Sequence, residues 1–115
     1  MPFLFKKLEV YNKAISISVE ISALTEGFPK GTYYLADQIN RAVLSIATNI
    51  AEGNGRFQKP DRIHFFRIAR GSAFECIPII EICKRRNLII EKTCANLEER
   101  LDEIGKMLTG LIQYK

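Results

Sequence analysis

Apolar residues recur along this chain at steps of three and four, in four blocks, and no stretch alternates convincingly between apolar and polar. Val10, Ala14, Ile17, Ile21 and Leu24 form the first stripe. That spacing keeps one face of a helix apolar and predicts a helix from about Lys6 to Thr25, stopping before Gly27-Phe28-Pro29. A second stripe, Leu8, Tyr11, Ile15 and Val19, lies beside it and makes the apolar face wider than one seam requires. The second block opens near Thr32, a plausible N-cap, and carries Leu35, Ile39, Val43, Ile46 and Ile50 as its seam. Ala36, Ala42, Ala47 and Ala51 keep it slim, so a partner helix can come close. Gly53-Asn54-Gly55 ends it.

The third block starts at Lys59-Pro60-Asp61, because proline lacks only an N–H that the first turn leaves unpaired anyway. It runs to about Arg86 on Phe66, Ala69, Ala73, Cys76, Ile80 and Cys83. Pro78 removes one internal hydrogen bond, which predicts a kink rather than two helices. The fourth block runs from about Glu91 to Gln113 on Leu97, Leu101, Ile104, Leu108 and Leu111, weakened by Gly105 and Gly110. The breaks between blocks are short, and short connections favour antiparallel neighbours. The expectation is an all-α fold, an antiparallel up-down-up-down four-helix bundle, with residues 1–115 as a single domain.

Composition agrees. A chain of 115 residues, 47% hydrophobic and 26% charged, holds one core and is not low-complexity. No run of about 18 apolar residues exists to span a membrane, so no membrane partner is expected. The N-terminus is briefly apolar and then basic, the reverse of a secretory signal, and a cytoplasmic location is expected. Cys76, Cys83 and Cys94 show no CxxC spacing and His64 is the lone histidine. Three reduced, buried thiols, with no metal and no cofactor, are the expectation.

Charge changes the picture more. The net charge is +4, yet residues 56–86 alone hold eight bases against three acids, and the remainder of the chain is net −1. Arg56, Lys59, Arg62, Arg67 and Arg70 are the candidate phosphate-binding residues, with Lys84, Arg85 and Arg86 further on. Residues 91–103 are the opposite, five acids against two bases. The same pattern therefore also suits ion pairs inside the bundle or between subunits, and Glu98, Glu99 and Asp102 are the natural partners.

A polar stripe on the second helix, Gln38, Arg41, Ser45, Asn49 and Glu52, faces Ser72 and Glu75 of the third. Gln38, Arg41, Asn49, Glu52, Ser72 and Glu75 are read as a structural hydrogen-bonded network that fixes register. As a catalytic site the set is poor. Glu52 and Glu75 are a carboxylate pair without a metal set or a histidine beside them, and the weakest option is an enzyme using them. No enzymatic activity is expected. Gly53-Asn54-Gly55-Arg56 lacks the Lys-Ser/Thr of a phosphate loop and reads as a helix cap and turn.

Gln38-Ile39-Asn40-Arg41-Ala42, Ser45-Ile46, Asn49-Ile50-Ala51-Glu52-Gly53 and Gly55-Arg56, with Ile68-Ala69-Arg70-Gly71-Ser72-Ala73-Phe74-Glu75, resemble a known family. Phe28-Pro29-Lys30, Tyr34-Leu35 and Met107-Leu108-Thr109-Gly110-Leu111-Ile112 agree. Together they look like the four-helix-bundle proteins of the 23S ribosomal RNA intervening-sequence type. Tyr11 stands where that family usually has tryptophan. The resemblance implies a bacterial bundle assembling as a ring-shaped homopentamer, with no settled activity. A related accessory protein of diversity-generating retroelements shares the fold and binds nucleic acid. The resulting expectation is a small oligomeric binding or scaffold protein that takes RNA or DNA through its basic third helix. The alternative is a protein–protein scaffold with no nucleic-acid binding.

Overall fold

The computed structural model describes residues 8–114. Four helices form: α1 (Glu9–Thr25), α2 (Tyr33–Asn54), α3 (Lys59–Arg85) and α4 (Glu91–Gln113). Among the described residues there is no strand. The predicted start of the first helix at Lys6 lies outside the described residues. No helix among them is long and apolar enough to cross a membrane.

Each helix packs only on its neighbours in the chain order, and α1 closes on α4; α1 does not touch α3, nor α2 touch α4. That is a square bundle. Contacts run in opposite order along each packed pair that carries several. Along α2 and α3, Tyr34 meets Arg86, Ser45 meets Ser72, and Gly53 meets Arg62 and Phe66. Along α3 and α4, Arg70 meets Thr109 and Phe74 meets Gly105. Lys13 and Glu20 of α1 reach Glu103 and Arg100 of α4. Neighbouring helices are therefore antiparallel.

The predicted seams are the core. All five seam residues of α2 and all six of α3 are buried, with Val10, Ala14, Ile17 and Ile21 from α1 and Leu97, Leu101, Ile104 and Leu108 from α4. Leu24 and Leu111, at the ends of their seams, are only partly covered. Phe28 folds back from the α1–α2 connection and is buried against the same core. Cys76, Cys83 and Cys94 are free thiols in it. Burial pushes all three thiols up, with Cys76 raised to about 12 by desolvation and then by the nearby Glu75 carboxylate.

One local detail departs from the sequence reading. Thr32 occupies the N-cap of α2, but its hydroxyl makes no capping bond; it donates backwards to the Pro29 carbonyl at 2.6 Å. Gly55 is the C-cap of α2, as the glycine-rich end predicts, with a right-handed φ of −84°. Gly53 is required by a close approach. A Cβ there would lie 2.8 Å from the Phe66 ring and 3.1 Å from the Arg62 carbonyl oxygen. As predicted, Pro78 does not divide its block: α3 is one helix, and Pro78 is exposed on it.

Candidate nucleic-acid interface

The basic residues divide into two groups by what holds them. At the C-terminal end of α3, Lys84 and Arg85 share Glu81, at 3.4 and 3.9 Å, and Arg86 donates to the Tyr34 hydroxyl. At the N-terminal end, among the described residues, only Arg56 has a carboxylate, Glu52, at 3.0 Å on the preceding helix turn. The Arg56 guanidinium also lies 4.7 Å over the Phe65 ring. Arg62 donates to the Phe57 carbonyl oxygen at 3.0 Å. Arg70 donates to the Thr109 hydroxyl at 3.2 Å and sits 5.7 Å over Phe74. Lys59 and Arg67 are exposed, and neither is ion-paired among the described residues.

Register explains why the acidic helix does not neutralise this group. The Arg70–Thr109 and Phe74–Gly105 contacts place residues 98–103 of α4 level with roughly residues 76–81 of α3, past the last of these bases. The acids are used elsewhere. Glu103 accepts from Lys13 at 2.9 Å, which holds the Lys13 ammonium above its ordinary value, and Asp102 pairs with Lys106 at 3.1 Å. Arg100, on the same helix, pairs with Glu20. No ion pair joins α3 to α4 among the described residues.

The polar stripe is brought together only in part. Ser72 donates to the Ser45 hydroxyl at 2.8 Å, and Asn49 donates to the same hydroxyl at 3.0 Å and to the Ser45 carbonyl at 2.8 Å. Ser45 is thus the hub between α2 and α3. Gln38, Arg41, Glu52 and Glu75 are exposed and stand outside that network. Ser45 alone of the α2 stripe bonds across to α3, where Ser72 stands level with it, and the other four side chains are left to solvent. Glu52 and Glu75 also diverge along the axis. The antiparallel Ser45–Ser72 contact and the helical rise set them about 15 Å apart, too far to act on one substrate atom.

One cross-link was missed by the sequence reading. Asn40 donates to the Thr25 hydroxyl at 2.9 Å and to the Ala36 carbonyl at 2.8 Å, tying α2 to the end of α1. A threonine at the predicted helix end was its sole signal. Phe57, in the α2–α3 connection, was missed too. It is 92% exposed, more than any other large apolar side chain among the described residues.

The fold is that of an all-α four-helix bundle. The chain belongs to the 23S rRNA-intervening sequence protein family, whose model matches residues 6–110. It is similar to a solved crystal structure of a protein of unknown function from the S23 ribosomal protein family of Bacteroides thetaiotaomicron. The two are 25% identical over 91% of this chain and 99% of that one, with a TM-score of 0.84. No curated protein matches the chain.

Proposed function

We propose that this protein is a non-enzymatic homo-oligomer that binds RNA or DNA through the basic N-terminal half of α3. The observation that carries the reading is the unpaired state of that half. Its bases are oriented by a backbone carbonyl, a hydroxyl and aromatic faces, and among the described residues only Arg56 is neutralised by a carboxylate. Guanidinium groups positioned by neutral acceptors keep their charge for phosphate. Arg56, Lys59, Arg62, Arg67 and Arg70 are the contacting residues.

Self-association is supported by apolar surface on two opposite corners. Ile15 and Val19 are exposed on α1, and Ile68, Phe74 and Ile82 on α3. α1 and α3 are diagonal in the bundle. Two different sticky faces on opposite corners favour head-to-tail contacts, and such contacts close into rings. Five subunits is the number proposed. Each copy would then present its basic corner again, and affinity would rise by avidity.

The test is a salt titration of labelled RNA and duplex DNA against the wild type and the Arg62→Glu, Arg67→Glu, Arg70→Glu triple variant. Wild-type binding is expected to fall steeply with salt and to show little sequence preference, and the triple variant to lose it. Equal, negligible binding by both proteins at low salt would leave the second reading. That reading is a protein–protein scaffold, favoured by the same exposed apolar corners.

A further inference from the structure

We infer that the α2–α3 corner is a stacking site for unpaired nucleotides, with Phe57 as the platform and Lys59 and Arg62 as its phosphate contacts. The inference rests on the nucleic-acid reading of α3 and narrows it to single strands.

Phe57 carries the argument. Burying such a ring would be favourable, and this fold leaves it in solvent. The ring does not stand out because its segment is slack. Gly55 donates to the carbonyls of Ala51 and Glu52 at 3.1 and 3.2 Å, Arg56 donates to Gly53 at 3.1 Å, and Arg62 donates from its backbone to Gln58 at 3.1 Å. The Arg62 side chain then fastens the Phe57 carbonyl itself. A connection bonded on both sides presents an aromatic face to solvent.

The same bond sets the chemistry beside the ring. The Arg62 guanidinium is fixed next to Phe57 while its other N–H donors remain open, and Lys59 is exposed two residues on. Glu52 and Asp61 are the opposing charges at this corner, and Glu52 is taken by Arg56. Aromatic face plus flanking cations is the arrangement that holds a base and its phosphates. Phenylalanine has no hydrogen-bonding group, so it selects no base. It does select against a duplex, whose base faces are covered by their neighbours.

Fluorescence anisotropy with a labelled oligouridine and a labelled duplex of equal strand length tests this. Phe57→Ala is expected to weaken oligouridine binding roughly 5- to 100-fold and to leave duplex binding unchanged within about twofold. The chain has no tryptophan. Phe57→Trp therefore supplies a single reporter, whose emission is expected to be quenched by oligouridine and not by duplex. Equal loss on both probes, no loss on either, or an unquenched tryptophan at saturation would overturn the stacking site and leave the phosphate-binding helix standing. A drop in particle mass on light scattering of Phe57→Ala would assign the ring to a subunit contact and also overturn it. Wild type that binds neither probe at low salt would remove the nucleic-acid reading itself.

Discussion

Ser45 does more at the α2–α3 contact than either glutamate near it. It receives hydrogen bonds from Ser72 and Asn49, and Ser72 is buried. Removing an acceptor from a buried donor costs on the order of 1–3 kcal/mol. Ser45→Ala is expected to lower stability by about that much in urea unfolding. Glu52→Ala is expected to change it by less than about 0.5 kcal/mol, since its pair with Arg56 joins two exposed side chains one turn apart. A larger loss from Glu52→Ala than from Ser45→Ala would contradict this assignment. Cys76 adds a pH dependence. Its thiol sits at about 12 in the fold against an ordinary 9.0, so the folded chain keeps a proton that the unfolded chain gives up. That contribution is fully present below pH 9 and falls as pH rises toward 12, by up to about 1.4 kcal/mol per unit. Urea midpoints measured on either side of pH 9 are expected to show the decline, and Cys76→Ala to flatten it. An unchanged slope in that variant would reject Cys76 as its source.

At the scale of the elements, α2 and α3 come close where Gly53 meets Phe66. A methyl group there meets a ring that could turn and a backbone carbonyl that cannot. Gly53→Ala is expected to destabilise by about 1–3 kcal/mol, the usual cost of overpacking. Gly110, within α4, has open space where its Cβ would be. There the helix propensity alone decides, and Gly110→Ala is expected to stabilise by about 0.5–1 kcal/mol. Thermal melts of the two variants moving in the same direction would show that close approach is not what Gly53 provides. The same approach has a second consequence. It pins the end of α2 to the start of α3, and so fixes where the connection carrying Phe57 leaves the bundle.

For the whole molecule, the exposed apolar side chains decide the expected assembly. Val19 is 65% exposed on a helix whose seam is already buried, and Leu44, 56% exposed, adds to the apolar surface of α2. Large apolar side chains exposed in this number point to an interface. Light scattering is expected to return several times 13.1 kDa, five subunits being the proposed state, and Val19→Glu to lower the mass. A mass near 13 kDa for the wild type at micromolar concentration would refute self-association. The bundle is 44 Å long and 26 Å across, so its basic end and its acidic middle are separate surfaces. Repetition of the basic end around a ring would concentrate positive charge without bringing those acids to it.

Helix positions, core seams and chain reversals were legible in the sequence, because each depends on a local period of three and four and on glycine and proline breaks a few residues long. Val43, Ile46 and Ile50 are buried for the reason their spacing predicts. Within the motif from Gln38 to Glu75, Ser45, Gly53 and Ser72 are positions that make the α2–α3 contact. Tertiary structure alone decided which polar residues meet. Glu52 and Ser45 share a stripe, yet of the two only Ser45 bonds across to α3, because Ser72 stands level with it, while Glu52 is exposed and pairs with Arg56. The acids of α4 and the bases of α3 read as natural partners, but partnership depends on register along the bundle. Register is set by Thr109 and Gly105 against Arg70 and Phe74. Phe57 follows the same rule, since a phenylalanine near a helix start reads as core until the direction of its connection is known.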